Sequence, residues 1–251
     1  SQLFEKGLLY QGHKVVWWWP QGGTALSSGE VGLGYKTVDD PSVVVRFAVA
    51  GEANTSFLGW TTTPWTLTSN CALAVNPRLD YVYAEKDGET FIVAASLADK
   101  VLGEDEHSVV REVSGADLIG MTYEPIFDYA TPEGGRYHVV IEADFVTASS
   151  GTGVVHMAPA FGEDDHKAAK KHGIGILQLV KPDGTFDERV TDFAGRFCKE
   201  ADRDIIRLLR TRGVLFHEEV YRHEYPYCWR ADSDPLIQYA RPAWFIRTTD
   251  I

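Results

Sequence analysis

Small polar hydroxyls cluster near residue 60, where a predicted strand runs into a loop. The group consists of Thr61, Thr62, Thr63 and Thr66. Each hydroxyl can donate and accept hydrogen bonds, so together they could hold a ribose hydroxyl, an ester carbonyl or a water molecule. Threonine runs in strands usually reflect only β propensity. The flanking Trp60 and Trp65 make this run unusual.

A second segment, residues 151–165, adds an imidazole and a pair of carboxylates. Asp164 and Asp165 fall where we expect a helix to begin, so the backbone N–H groups and the helix dipole should keep Asp165 ionised at neutral pH. An ionised Asp165 could accept hydrogen bonds from an ammonium group. From the residues alone, two alternatives stay open: the acids only cap the helix, and His156 is a hydrogen-bonded core residue.

These groups suit the hydrolysis of a labile ester. That reaction needs a positioned water, stabilisation of a developing oxyanion and a handle on the substrate. The sequence has no G-x-S-x-G elbow and no Ser, Cys or Lys in the context of a nucleophile,. We therefore expect direct attack by water.

Both segments resemble the editing (CP1) domain of isoleucyl-tRNA synthetases. Residues 60–68 match the family element WTTTPWTLP, and residues 151–165 match GTGxVHxAPxxGxxD. The valyl and leucyl relatives carry Arg in the middle of the first element, whereas this chain has Thr63-Pro64-Trp65-Thr66, the isoleucyl form. Thr68 stands where the family usually has Pro, and we expect it to loosen the loop while leaving the polar groups in place.

The resemblance implies a function and a set of site residues. Asp165 would hold the α-ammonium of an aminoacyl group, and His156 would limit side-chain size so that valine enters and isoleucine does not. The reaction would be hydrolysis of mischarged Val-tRNA(Ile), with valyl-adenylate as a second candidate substrate, and the partner would be the 3' CCA end of that tRNA. The remaining expected residues divide into a catalytic pair, Thr63 and Thr66, and a substrate-binding set: Trp60, Thr61, Thr62, Asn70 and Asp164.

The pattern of elements predicts an α+β fold with an antiparallel, barrel-like β body and peripheral helices. Predicted strands are 42–49, 137–141 and 153–157, with a hairpin over 81–95 that turns at Asp87-Gly88. Predicted helices are 2–10, 163–172 and 200–212.

The resemblance implies a domain division. We expect a single editing domain excised from a longer enzyme, with residues 41–213 as the editing core. Residues 1–40 and 214–251 would meet as a stalk joining the catalytic domain. The synthetase signatures HIGH and KMSKS are missing from the sequence, so this chain should not activate an amino acid.

Composition sets further bounds. The 251 residues carry a net charge of -12, which argues against a free-standing nucleic-acid binder,. Three widely spaced cysteines form no disulfide framework,. We expect a cytoplasmic monomer without a membrane segment. The resemblance implies no cofactor in this domain, whereas the full-length synthetase would use ATP and Mg.

Family members often bind zinc through two C-x-x-C pairs, and here only Cys228 remains of them. We expect no metal, and we interpret Trp17, Trp18 and Trp19 as an apolar plug. A remnant zinc site of His217, His223 and Cys228 is the weaker interpretation. The basic stripe Lys167, Lys170 and Lys171 fits a solvated helix face better than a phosphate contact.

Two rival functions remain open. One is a binding module that holds a tRNA end or small ligand without chemistry. The other is a metal-dependent hydrolase using His156, Asp164, Asp165 and His166, which lacks a recognisable ligand spacing.

Overall fold

A computed structural model describes residues 2–248, and sheets dominate it. The strands are β1 (Leu9–Trp19), β2 (Thr24–Ala25), β3 (Tyr35–Ala48), β4 (Thr55–Thr61), β5 (Ala72–Val75), β6 (Asp80–Lys86), β7 (Glu89–Ala94), β8 (Ser108–Ser114), β9 (Val139–Glu142), β10 (Val155–Met157), β11 (Leu215–Cys228), β12 (Ala231–Pro235) and β13 (Ile237–Ile246). The α-helices are α1 (Gln2–Glu5), α2 (Ser28–Gly32), α3 (Ala98–Leu102), α4 (Gly115–Leu118), α5 (Glu163–His172) and α6 (Asp202–Thr211). Shorter 3₁₀ helices cover Pro64–Ser69, Ala95–Leu97 and Lys199–Ala201.

The strands form a larger sheet of mixed direction and a smaller antiparallel sheet. The larger runs β12-β11-β3-β4-β10-β5-β9, with β7 added to β4 and then β6 and β8. The smaller runs β13-β1-β2. Three neighbouring pairs, β4–β10, β4–β7 and β5–β9, are parallel. The α+β class is therefore confirmed, but the body is not wholly antiparallel, and this strand order does not close into a barrel within residues 2–248.

Local turn chemistry explains the predicted hairpin. β6 and β7 pair antiparallel from Tyr81↔Ala94 to Lys86↔Glu89. Asp87 and Gly88 both have positive φ, 53° and 81°, as a type I′ turn requires,. The sequence prediction for this hairpin is confirmed.

Two of the three predicted helices are found with small differences. Helix α5 has the predicted bounds, and it ends at Gly173, whose φ of 62° is left-handed,. Helix α6 follows the short 3₁₀ helix Lys199–Ala201. The prediction for residues 2–10 was wrong beyond Glu5, because Gly7 turns the chain at φ 68° and β1 begins at Leu9.

Alternation along β1 divides the three tryptophans between two clusters. Trp18 lies in the main core and donates its indole N–H to the Pro182 carbonyl at 2.6 Å. Trp17 and Trp19 point to the other face and pack against a cluster that includes buried Cys228,. A single plug of all three is therefore not formed.

The terminal segments of the chain pair with each other. β1 runs antiparallel to β13 from Leu9↔Ile246 to Trp18↔Ile237. β11 runs antiparallel to the whole length of β3 up to Val45. No helix of the described residues is long and apolar enough to cross a membrane.

Candidate functional site

Two parallel neighbours, β4 and β10, position the threonines and the histidine. Val155 pairs with Trp60 across these strands, so both side chains project from the same face of the sheet,. Thr61 and His156, each one residue further on, therefore project together from the opposite face. This register brings residues 95 positions apart in sequence into one site.

The last residue of β4 and the loop after it, residues 61–70 (the threonine loop), include a 3₁₀ turn over Pro64–Ser69. Pro64 is the first residue of that turn, where its missing N–H costs no hydrogen bond,. The hydroxyls of Thr61, Thr63 and Thr66, here called the threonine cluster, follow one another at 3.3 Å and 3.2 Å. Thr61 and Thr66 are buried and Thr63 is half-buried, so Thr63 is the member most accessible to a substrate.

His156 joins this cluster through both ring nitrogens. Its Nε2 lies 3.0 Å from the Thr66 hydroxyl, and its Nδ1 lies 2.8 Å from the side-chain nitrogen of Asn70. The ring is 6% exposed. Burial lowers the pKa of His156 to about 3, so the ring is neutral at physiological pH,.

Asp165 anchors the other side of the site. Its Oδ2 accepts a hydrogen bond from the backbone N–H of Ala158 at 2.8 Å, just past the end of β10. Its side chain keeps some solvent contact, yet the packed atoms around the carboxylate exclude enough water to raise its pKa to about 6,. Desolvation thus outweighs the helix-terminus effect, against the direction expected from sequence, although the group is still mostly ionised at pH 7.5.

Gly162 makes room for this carboxylate. A Cβ at Gly162 would lie 2.7 Å from the Asp165 Cγ, closer than side-chain atoms pack,. Gly162 precedes the first residue of α5 and offers no side-chain cap. The Asp165 carboxylate accepts its hydrogen bond from Ala158, outside its own helix.

Asp164 and His166, the neighbours of Asp165, point elsewhere. Asp164 is exposed and lies 3.7 Å from Lys167. The Nδ1 of His166 lies 3.0 Å from the Pro159 carbonyl, to which it donates. With both nitrogens of His156 also engaged, the four residues of the metal-hydrolase alternative do not converge, and no group of three His, Cys, Asp or Glu among residues 2–248 is arranged to hold a metal.

Other expected residues are placed as follows. Thr62 is half-buried. Thr68 is 2% exposed and donates its hydroxyl to the Trp65 carbonyl at 2.9 Å, so it fastens the turn rather than loosening it. Trp60 lies on the opposite face of β4, in a groove of about 170 Å³, with its ring 5.5 Å from that of Tyr221. Trp60 therefore lies apart from both Asp165 and the threonine cluster.

Three residues that sequence reasoning missed support this site. The Asp202 carboxylate accepts the backbone N–H of Trp65 at 2.8 Å and so pins the threonine loop to α6. The Trp65 ring packs edge-on against Phe161 at 5.0 Å. The Tyr123 hydroxyl donates to the Asn70 Oδ1 at 2.6 Å.

Local sequence offered little signal for these contacts, because they span up to 137 residues. The one available signal was Phe161, which lies inside the second segment, three residues after Ala158 and four before Asp165.

The weaker zinc interpretation is not supported by the placement of its residues. His223 bonds to Asp40 at 3.2 Å, and Cys228 is fully buried among apolar side chains. His217 is exposed beside Trp60. The basic stripe also has local partners, since Lys167 pairs with Glu163 and Lys171 with Glu142, both at 2.9 Å.

The comparisons with known proteins identify the family. The family model described as tRNA synthetases class I (I, L, M and V) matches residues 1–251. The chain belongs to the class I tRNA synthetases. Within this family it is 47% identical over 249 residues to the isoleucine–tRNA ligase of Clostridium novyi (strain NT) and 49% identical over 249 residues to that of Bacillus thuringiensis (strain Al Hakam). Each alignment covers 99% of this chain and 24% of the ligase, so this synthetase segment spans about a quarter of its relatives' length.

A solved structure supports the fold. The crystal structure of GlLeuRS-CP1 superposes with a TM-score of 0.55 at 16% identity, covering 73% of this chain and 99% of that one. The sequence of this chain is thus similar to isoleucine–tRNA ligases, and its fold is similar to that of GlLeuRS-CP1.

Proposed function

We propose that this chain hydrolyses the ester bond of Val-tRNA(Ile), the proofreading reaction of an isoleucyl-tRNA synthetase. The observation that carries the proposal is that the threonine cluster bonds to His156, while the Asp165 carboxylate bonds to Ala158, two residues further along the chain from His156. This arrangement supplies hydrogen-bonding oxygens for a water and an anion for an ammonium group.

Asp165 would bind the α-ammonium of the aminoacyl group. The carboxylate uses one oxygen on the Ala158 N–H and is only partly accessible, so an incoming cation would meet a desolvated anion. Electrostatic attraction is stronger in such an environment than in water.

Water is the proposed nucleophile. The thiols of Cys71 and Cys198 are fully buried, and burial raises the pKa of Cys71 to about 12 and that of Cys198 further above its usual range. Neither can supply a thiolate near neutral pH. His156 cannot act as a general base either, because its pKa is about 3 and both nitrogens are occupied. Orientation of a water by Thr63, whose hydroxyl is held in place by Thr66, with assistance from the free hydroxyl of the terminal adenosine, is the route we propose.

His156 would act as a wall that excludes larger side chains. One methylene contributes only about 1–3 kcal/mol in a hydrophobic pocket, a limit for which isoleucyl synthetases themselves are the standard example. A rigid ring with both nitrogens fixed can exclude isoleucine by steric clash, which attraction alone cannot achieve. Valyl-adenylate, which shares the valyl group, is the second candidate substrate.

The surroundings of the site are part of the proposal. The 3' CCA end of tRNA(Ile) would enter from the side of Thr63. Residues 41–213 would be the editing core. Residues 1–40 and 214–251 would be the stalk of a cytoplasmic, monomeric enzyme; the pairing of β1 with β13 supports this division.

The test is deacylation of Val-tRNA(Ile) and Ile-tRNA(Ile) by this chain, at substrate concentrations high enough to offset weak tRNA binding. We expect release of valine and not of isoleucine, unchanged in EDTA. Binding of the charged tRNA without release of valine at any concentration would favour a binding module instead. Loss of activity in EDTA would revive the metal-dependent hydrolase.

A further inference from the structure

A buried chain of hydrogen bonds links Tyr123 to the threonine cluster through Asn70 and His156. Tyr123 is 3% exposed, and its ring packs edge-on against Phe47 at 5.4 Å. Its hydroxyl donates to the Asn70 Oδ1 at 2.6 Å. Tyr123 itself touches neither Thr63 nor Asp165 in the contacts above, so any effect on the reaction passes through Asn70.

The orientation of the Asn70 amide is fixed from two sides. Its nitrogen lies 3.0 Å from the Ala72 carbonyl, which can only accept, so this atom must be the NH₂ group,. Its oxygen receives the Tyr123 hydroxyl. The second N–H of Asn70 then points at the His156 Nδ1, 2.8 Å away.

This orientation determines the tautomer of His156. Nδ1 must accept, so in the neutral ring the proton lies on Nε2. Nε2–H then donates to the Thr66 hydroxyl oxygen at 3.0 Å. The Thr66 hydroxyl proton is in turn donated to the Thr63 carbonyl at 2.8 Å.

The direction of the hydrogen bonds between the threonine hydroxyls follows because each hydroxyl has only one proton to donate. Because Thr66 has already used its proton, Thr63 must be the donor in the 3.2 Å contact between their hydroxyls. Thr63 has then used its own proton, so Thr61 must donate in the 3.3 Å contact between Thr61 and Thr63. Thr61 also accepts the Thr63 backbone N–H at 3.1 Å. Every hydroxyl proton is committed inside the cluster, and the free lone pairs of Thr61 and Thr63 remain.

We infer that Tyr123 is a positioning residue that, together with the Ala72 carbonyl, fixes the Asn70 amide and so, through His156, sets the polarity of the threonine cluster, in which Thr61 and Thr63 present hydrogen-bond acceptors to the substrate. Acceptors suit the hydrogens of an attacking water or an ammonium group, and they repel a carbonyl oxygen. This inference rests on the proposed function for its catalytic consequence, but the tautomer itself does not depend on activity.

The primary test is NMR of the ¹⁵N-histidine-labelled chain at pH 7, with the His156 signals assigned by comparison with His156→Gln. We expect the proton on Nε2 in the wild type. In Tyr123→Phe one of the two bonds that fix the Asn70 amide is lost while the bond to the Ala72 carbonyl remains, so we expect a minor Nδ1-protonated fraction beside the Nε2-protonated form and a lower kcat for valine release, with KM unchanged,. Tyr83→Phe is the matched control, since Tyr83 is 6% exposed in the same core and its hydroxyl contacts the Met121 sulfur at 3.7 Å and the Arg111 side chain, neither of which belongs to the site.

A reversal variant keeps the test decisive if Tyr123→Phe fails to fold. In Asn70→Asp the carboxylate can only accept, so we expect the proton to move to Nδ1 and valine release to be lost. A wild-type ring protonated on Nδ1 would overturn the inference, as would a Tyr123→Phe variant that matches Tyr83→Phe in both tautomer and kcat. A wild-type chain that releases no valine would remove the proposed function while leaving the tautomer measurement valid.

Discussion

The Oδ2 of Asp165 lies 2.8 Å from the backbone nitrogen of Ala158, and this bond joins the first turn of α5 to the end of the strand that carries His156. In Asp165→Asn the amide oxygen can keep this bond while the negative charge is lost. We expect kcat/KM for valine release to fall on the order of 10–100-fold, the cost of losing a hydrogen bond to a charged group. Glu163→Gln is the control, because Glu163 is exposed two residues away and pairs with Lys167. Equal loss in both variants would contradict the role given to Asp165.

Valine release should depend on pH through Asp165. Burial raises the pKa of Asp165 to about 6, so we expect the rate to fall as pH drops through 6 and to level off above 7,. Subtracting the Asp165→Asn rate at each pH corrects for spontaneous ester hydrolysis. A corrected rate that is flat from pH 5 to 7.5 would contradict the assignment.

The raised pKa of Asp165 also predicts that the stability of the protein depends on pH. The folded-state pKa of Asp165 lies above its ordinary value of 3.8, so the native state binds the proton more tightly than the unfolded chain,. This group's contribution to stability is therefore lost as pH rises from about 4 to 6. We expect the Tm of Asp165→Asn relative to wild type to increase over this range, as thermal melts at pH 4 and 7.5 can measure.

Gly162→Ala should disable the site without unfolding the protein. The φ of Gly162 is -144°, which alanine adopts freely, so the only conflict is the added Cβ at 2.7 Å from the Asp165 Cγ. We expect the carboxylate to shift and valine release to fall about tenfold, with a small change in Tm. Gly29→Ala is the matched control, since a Cβ there meets no atom within 4 Å. Full activity in Gly162→Ala would show that the position of the carboxylate is not critical.

His156→Ala tests the size limit. Removing the ring opens space beside the threonine cluster, so we expect isoleucine to be released from Ile-tRNA(Ile), which the wild type leaves intact. The variant also removes one hydrogen bond from each of Thr66 and Asn70, and we expect it to cost about 2–4 kcal/mol of stability,. His217→Ala, at an exposed position on β11, serves as the control in the same deacylation assay and melts. Strict rejection of isoleucine by folded His156→Ala would refute the size limit.

Variants of Asp202 test how the threonine loop is held in place without changing the residues proposed to contact the substrate. Asp202→Asn keeps an acceptor for the Trp65 N–H, whereas Asp202→Ala leaves it unpaired at a cost of about 1–3 kcal/mol,. Burial also raises the pKa of Asp202 to about 8, so its contribution to stability is lost as pH rises from about 4 to 8,. We expect Asp202→Asn to exceed the wild type in Tm at pH 9, and Asp202→Ala to fall below Asp202→Asn at every pH.

The sequence predicted the elements that depend on interactions between residues close together in the chain. The hairpin over 81–95 follows from Asp87-Gly88, and helix α5 follows from its charge order and Gly173. The antiparallel part of the fold prediction was wrong where strands far apart in sequence pair in parallel, as Trp60 and Val155 do, and the barrel-like form is not confirmed. Such pairing leaves no mark on either strand alone.

The candidate site, like the fold, was predicted only in part from the sequence. The threonines, His156 and Asp165 stand in two short segments, so their types and spacing were readable. Tyr123 and Asp202 act from 53 and 137 residues away, and neither lies in a recognisable pattern. Their importance depends on which buried polar atom they reach, and only the three-dimensional packing shows that.

The pairing of β1 with β13 has a kinetic consequence. The outer half of this strand pair joins residues near opposite ends of the chain, such as Leu9 and Ile246. Forming it therefore restricts the conformations of almost the whole chain at once. We therefore expect this ribbon to form after the larger sheet, once folding of the body has brought its two strands together. For the same reason its outer amide hydrogens should exchange with solvent sooner than those of β4 and β10, so that the ribbon can open and close while the threonine cluster stays intact.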